Sequence, residues 1–165
     1  MITTLKITLL RGRFCEGEWS VNIELDGSAT LDDLHYAIQK AVHFDNDHQY
    51  CFYLSRTDRS RNREYFNDEN ELIFTQTIKD LFPLPSKQSL FYFFDWGDDW
   101  VFKVSSSRKR PHDPVEGLAY PRVESESGIK PVQYLSDEDD DEDDDEDEDD
   151  DEEDVAVNDS EDNEE

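Results

Sequence analysis

Every residue from Asp137 to Asp154 is aspartate or glutamate, 18 in succession, and this run decides where a folded body can lie. Ordering a residue's backbone costs about 1–2 kcal/mol. Beyond Leu135 only Val155, Ala156 and Val157 offer apolar surface to set against that cost. Residues 136–165 are therefore expected to form a disordered polyacidic tail, extended by its own repulsion. Residues 1–135 hold all 10 Phe, all 7 Tyr and all 3 Trp, which suits one domain with one core.

The net charge of -28 comes mostly from the tail; the body has 21 acidic residues against all 16 basic ones. Such a balance disfavours nucleic acid as a partner while the tail is present. The opening MITTLKITLL is too short and too polar for a signal sequence, and no apolar run approaches the roughly 20 residues of a membrane span. A cytoplasmic protein without membrane association is expected. Cys15 and Cys51 lack Cys-x-x-Cys spacing and are read as reduced.

Periodicity predicts the elements of the body. Thr4–Leu10 alternates, and Trp19, Val21, Ile23 and Leu25 share one face of a second strand. Thr30 followed by Asp33 has the form of a capping box, and Leu31, Leu34, Ile38, Ala41 and Val42 make a helical stripe. Tyr50–Leu54 reads as a third strand, 55–71 as an arginine-bearing loop, and Thr77–Phe82 as a helical turn. The segment LFYFFDWGDDWVFKV, residues 90–104, reads as a hairpin. With Gly97 and Asp98 at its turn, Asp95 would face Trp100 and Phe93 would face Phe102. The resulting order predicts an α+β fold of the β-grasp-like, ubiquitin-like kind: a mixed sheet with one main helix. The likeness concerns shape alone, because conjugation needs a terminal diglycine and this chain ends Asn163-Glu164-Glu165.

Phe94-Asp95-Trp96-Gly97-Asp98-Asp99-Trp100 resembles the signature hairpin of the plasmid pRiA4b ORF-3-like family, whose members occur in plasmids, mobile elements and many prokaryotic chromosomes. The segment 47–52 is similar to that family's His-x-Tyr-x-Phe strand, and Tyr120–Pro131 to its closing Pro/Gly segment. The resemblance spans roughly residues 3–135 and implies an α+β domain with no defined activity. This chain departs from the pattern at Phe102, where many members have histidine, and at Gln133-Tyr134-Leu135, where Cys and Gly-Gly are common.

Chemistry-bearing residues are few. Asp95, Asp98 and Asp99 lie among aromatic rings, but hairpin neighbours alternate faces, so a shared Mg²⁺ or Ca²⁺ would require the turn to gather them. Asp95 keeps core-facing parity and needs donors or a cation. His48 could join it if its strand lies beside the hairpin. His35, His43 and His112 are scattered, Cys51 and His48 point to opposite strand faces, and no cofactor motif is present. Arg56, Arg59, Arg61 and Arg63 form a basic loop that reads either as a phosphate or acidic-partner patch or as a solubilising surface. The tail is read as a solubiliser, as a competitor for those arginines, or as a lure for basic partners.

The leading expectation is a non-enzymatic interaction module. Asp95, Trp96, Asp98, Trp100, His48 and the four loop arginines are its candidate binding residues, and its partner is another protein, of basic character if the tail recruits it. The alternatives are a small metal-assisted hydrolase using Asp95, Asp98 and His48, and a nucleic-acid-associated protein of mobile-element origin.

Overall fold

The computed structural model describes residues 1–135; the acidic tail expected to be disordered lies outside the described residues. Alternating apolar residues build β1 (Ile2–Arg11) and β2 (Trp19–Asp26), which pair as an antiparallel hairpin. Thr30 caps α1 (Leu31–Val42): its hydroxyl accepts from Asp33 N, and the Asp33 carboxylate accepts from Thr30 N. The helix lays Leu34, Ile38 and Val42 against the sheet. β3 (Tyr50–Ser55) follows, then a three-residue strand β4 (Glu64–Phe66), two single-turn helices α2 (Leu72–Thr75) and α3 (Ile78–Leu81), and the hairpin β5 (Ser89–Phe94) and β6 (Trp100–Ser106). β7 (Arg122–Gly128) returns to the edge beside β2.

The β-grasp-like α+β expectation is overturned. Seven strands form one sheet in the order β4-β3-β5-β6-β1-β2-β7, and every pairing is antiparallel. A mixed sheet needs a parallel pair, but β1 meets antiparallel neighbours on both sides. The two edge strands escape sequence reading for physical reasons: β4 is three residues long, and β7, RVESESG, is polar and mostly exposed. An edge strand with a solvated outer face need not alternate in hydropathy.

The hairpin register also differs by one residue from expectation. Phe94 faces Trp100, Tyr92 faces Phe102 and Leu90 faces Val104. The turn is five residues, and its left-handed positions are Asp95 (φ 60°) and Asp99 (φ 55°) rather than Gly97; aspartate tolerates this region through local hydrogen bonds. The slip moves Asp95 out of the strand and puts Tyr92, Phe94, Trp100 and Phe102, all fully buried, into the main core with Trp19 and Phe52. The opposite sheet face carries a small cluster of Cys51, Tyr53, Phe91 and Val101. Among the described residues no helix is long and apolar enough to cross a membrane.

Candidate functional site

Because β3 pairs with β5, the loop before β3 meets the hairpin turn, and His48 and Asp95 converge: Nδ1 lies 3.6 Å from Oδ2. Asp95 is 4% exposed, yet its charge is answered locally. Its Oδ1 accepts from the Gly97 and Asp98 amides at 3.0 and 3.3 Å. Such hydrogen bonds from backbone amides make burial of the side chain tolerable. Asp98 turns away to Arg13, 3.3 Å distant, and Asp99 to Arg11 at 2.9 Å. The three hairpin acids thus diverge, and among the described residues no three His, Cys, Asp or Glu side chains gather as a metal-binding set.

Asp47, which sequence reading passed over, is the hub beside them. Its Oδ1 accepts from His48 Nδ1 (2.8 Å) and Gln133 Nε2 (2.7 Å), and its Oδ2 from the Tyr134 hydroxyl (2.6 Å). Desolvation opposes ionisation of Asp47, but these donors outweigh it and hold the carboxyl down to about 2. The same contacts raise His48 above the ordinary histidine value, chiefly through Asp47 and then through the charge of Asp95. Bonding to Asp47 pushes the Tyr134 phenol up to about 12. Gln133 and Tyr134 occupy the positions where this chain departs from the family pattern, and their polar ends tie the closing segment to the His48 loop. Burial pushes the Cys51 thiol up to about 12, leaving it a poor nucleophile near neutrality.

A cleft of about 920 Å³ opens from this corner toward β4 and α2. Its wall carries the exposed rings of Tyr36, Tyr65, Phe74 and Trp96, which are 43–55% accessible. Asp32, Asp47, Asp68, Glu69 and Asp95 supply its charge, and no lysine or arginine lines it. Asp68 and Glu69 are exposed and take part in none of the ion pairs found among the described residues.

The remaining sequence candidates lie elsewhere. Trp100 is fully buried against Phe44, so of the hairpin tryptophans only Trp96 meets solvent, resting on Phe93 with ring centroids 4.5 Å apart. Arg63 stacks over the Tyr53 ring at 4.2 Å and donates to the Asp58 and Ser60 carbonyls at 2.8 Å, pinning its own loop. Arg56, Arg59 and Arg61 are exposed and do not line the cleft. Tyr36, Tyr65 and Phe74 were missed because they come from three separate segments. Their signal was apolar rings on otherwise polar faces, such as Tyr36 on the outward side of α1.

A family model described as plasmid pRiA4b ORF-3-like protein matches residues 2–134. Among solved structures the chain is similar to a protein of unknown function from Methanosarcina mazei Go1. The identity is 22% and the TM-score 0.60, covering 76% of this chain and 68% of that one, a likeness of fold alone. No curated protein matches.

Proposed function

The chain belongs to the plasmid pRiA4b ORF-3-like family, and from that premise we propose that it is a non-enzymatic cytoplasmic binding module whose cleft takes a cationic segment of another protein. One observation carries this reading: four exposed rings and five carboxylates share the cleft, with no lysine or arginine among them and His48, already paired with Asp47, as its one basic group. Lysine and arginine stems pack on aromatic faces, and their charged heads gain from ring quadrupoles and carboxylates together. The acidic run from Asp137 to Asp154 draws the same cations toward the protein and disfavours nucleic acid.

Trp96 fluorescence tests this in the full chain. A short arginine-rich peptide should give a saturable change that salt weakens and an acidic peptide of equal length does not produce. In Tyr65→Ala with Phe74→Ala, which keeps the Trp96 reporter, the peptide should bind more weakly by about tenfold, an energy of about 1.4 kcal/mol. Equal responses to both peptides would refute the proposal.

The approach of His48 to Asp95 favours a second reading, a metal-assisted hydrolase. Its third expected member, Asp98, is held by Arg13 instead. Saturable Mn²⁺ binding lost in Asp95→Asn but retained in Asp99→Asn would support that reading over the first.

A further inference from the structure

A second groove, of about 760 Å³, runs between the C-terminal half of α1 and the edge strand β7, and its chemistry is opposite to that of the cleft. Ile23, Ala37 and Ala41 form an apolar floor, and Val123 on β7 is 42% exposed along one wall. The rim carries Lys40, His43, Arg122 and Lys130 against a single carboxylate, Glu126. Concentrating cations here runs against the balance of a body with more acidic than basic residues.

The rim charges are only partly answered. Arg122 is committed to Glu24. Lys130 Nζ lies 3.4 Å from Glu126 Oε1 and equally 3.4 Å from His43 Nε2. Glu126 Oε1 already accepts from Trp19 Nε1 at 2.8 Å, so one carboxylate serves an indole, an ammonium and the field of His43. Lys40 is exposed and joins none of the ion pairs found among the described residues. Lys40, which has no ion pair among the described residues, and Lys130, whose one carboxylate is shared with Trp19, leave the groove able to accept an incoming anion with an apolar body.

We propose that this groove binds a small amphipathic carboxylate: an aromatic ring or short alkyl chain lying on Ile23, Ala41 and Val123, with its carboxylate among Lys40, His43 and Lys130. The volume falls in the range of small-molecule sites, where apolar walls give affinity and a few polar groups fix orientation. A carboxylate suits lysine, which binds as a compact point charge without needing a two-pronged geometry. The groove shares the Tyr36 ring with the cation cleft but none of its charged residues.

Nitrogen-15 correlation spectra of the full chain, titrated with phenylbutyrate and with phenylbutylamine, test the assignment. The acid should shift the Lys40, His43 and Val123 amides saturably while the Gly97 and Phe74 amides stay in place. The amine should bind there more weakly by about tenfold, a difference set by charge alone. Lys40→Glu with Lys130→Glu should abolish the preference for the acid. Val123→Trp, on an exposed edge position, should block both ligands and serves if the double variant fails to fold. Equal binding of acid and amine, linear shifts without saturation, or shifts confined to other parts of the chain would each overturn the proposal.

Discussion

His48 Nδ1 stands 3.6 Å from Asp95 Oδ2 and 2.8 Å from Asp47 Oδ1, so one imidazole bridges the hairpin turn and the loop that enters β3. A histidine whose folded pKa is raised contributes stability that is fully present below its ordinary value and lost as pH rises through the higher, folded one. His48 is such a group, raised above 6.5. Following its ring protons by NMR should show a midpoint above 6.5 that falls in Asp47→Asn. An unchanged midpoint in that variant would remove Asp47 as the cause.

His35 behaves in the opposite sense. It is buried, and a closed ring of bonds fixes its neutral form: Gln39 Nε2 donates to the Tyr92 oxygen at 2.9 Å, and the Tyr92 hydroxyl donates to His35 Nδ1 at 2.7 Å. His35 Nε2 donates to Asn46 Oδ1 at 2.6 Å, and Asn46 N donates back to Gln39 Oε1 at 3.0 Å. Burial lowers its pKa to about 4. Protonation therefore favours unfolding, and this part of the stability is lost as pH falls from 6.5 toward about 4. Urea denaturation should show a shallower acid loss in His35→Gln than in the parent chain.

Tyr92 is the shared member of that ring. Tyr92→Phe leaves His35 Nδ1 and Gln39 Nε2 without their partner in a dry environment, which should cost about 1–3 kcal/mol at neutral pH. Denaturant midpoints measure it, and a neutral result would mean that the two groups find other partners.

The two hairpin tryptophans should separate stability from binding. Trp100→Ala removes a fully buried ring and should cost about 3–5 kcal/mol. Trp96→Ala, at a position 49% exposed, should cost about 1 kcal/mol or less while weakening the cationic peptide. Thermal denaturation of both variants decides this.

Gly128 ends β7 at φ 90°, where an added Cβ would lie 2.0 Å from the Glu18 carbonyl oxygen. Gly128→Ala combines that clash with a backbone region that side chains avoid, so it should cost about 1–3 kcal/mol and loosen the β2–β7 pairing. Amide exchange at Trp19 and Ile129, the flanking positions, should quicken.

Local signals in the sequence were readable. The Thr30–Asp33 cap, the stripe of α1 and the alternation of β1 and β2 depend on neighbours a few residues apart, and each element forms where its pattern lies. The turn of the last hairpin was misjudged because a glycine beside an aspartate suggests a two-residue turn, whereas Asp95 and Asp99 supply the left-handed positions here. One residue of slip then assigned Asp95 to the core face. The antiparallel order of the sheet was not readable at all, since nothing local says that β6 should lie against β1. The His35 ring and the Asp47 hub were hidden for the same reason: their partners are 53–57 and 86–87 residues away. Of the rings around the cleft only Trp96 was legible; Tyr36, Tyr65 and Phe74 lie on three other segments that only the fold brings beside it.

The proposed function requires that the cleft, and not the acidic run alone, hold a cationic segment. Residue-resolved NMR of the full chain during titration with an arginine-rich peptide tests it most directly. Saturable shifts are expected at the Tyr65, Phe74 and Gly97 amides, with those at Tyr65 and Gly97 lost in Trp96→Ala with Phe74→Ala. Shifts restricted to residues 137–165, with the cleft amides unmoved, would contradict it.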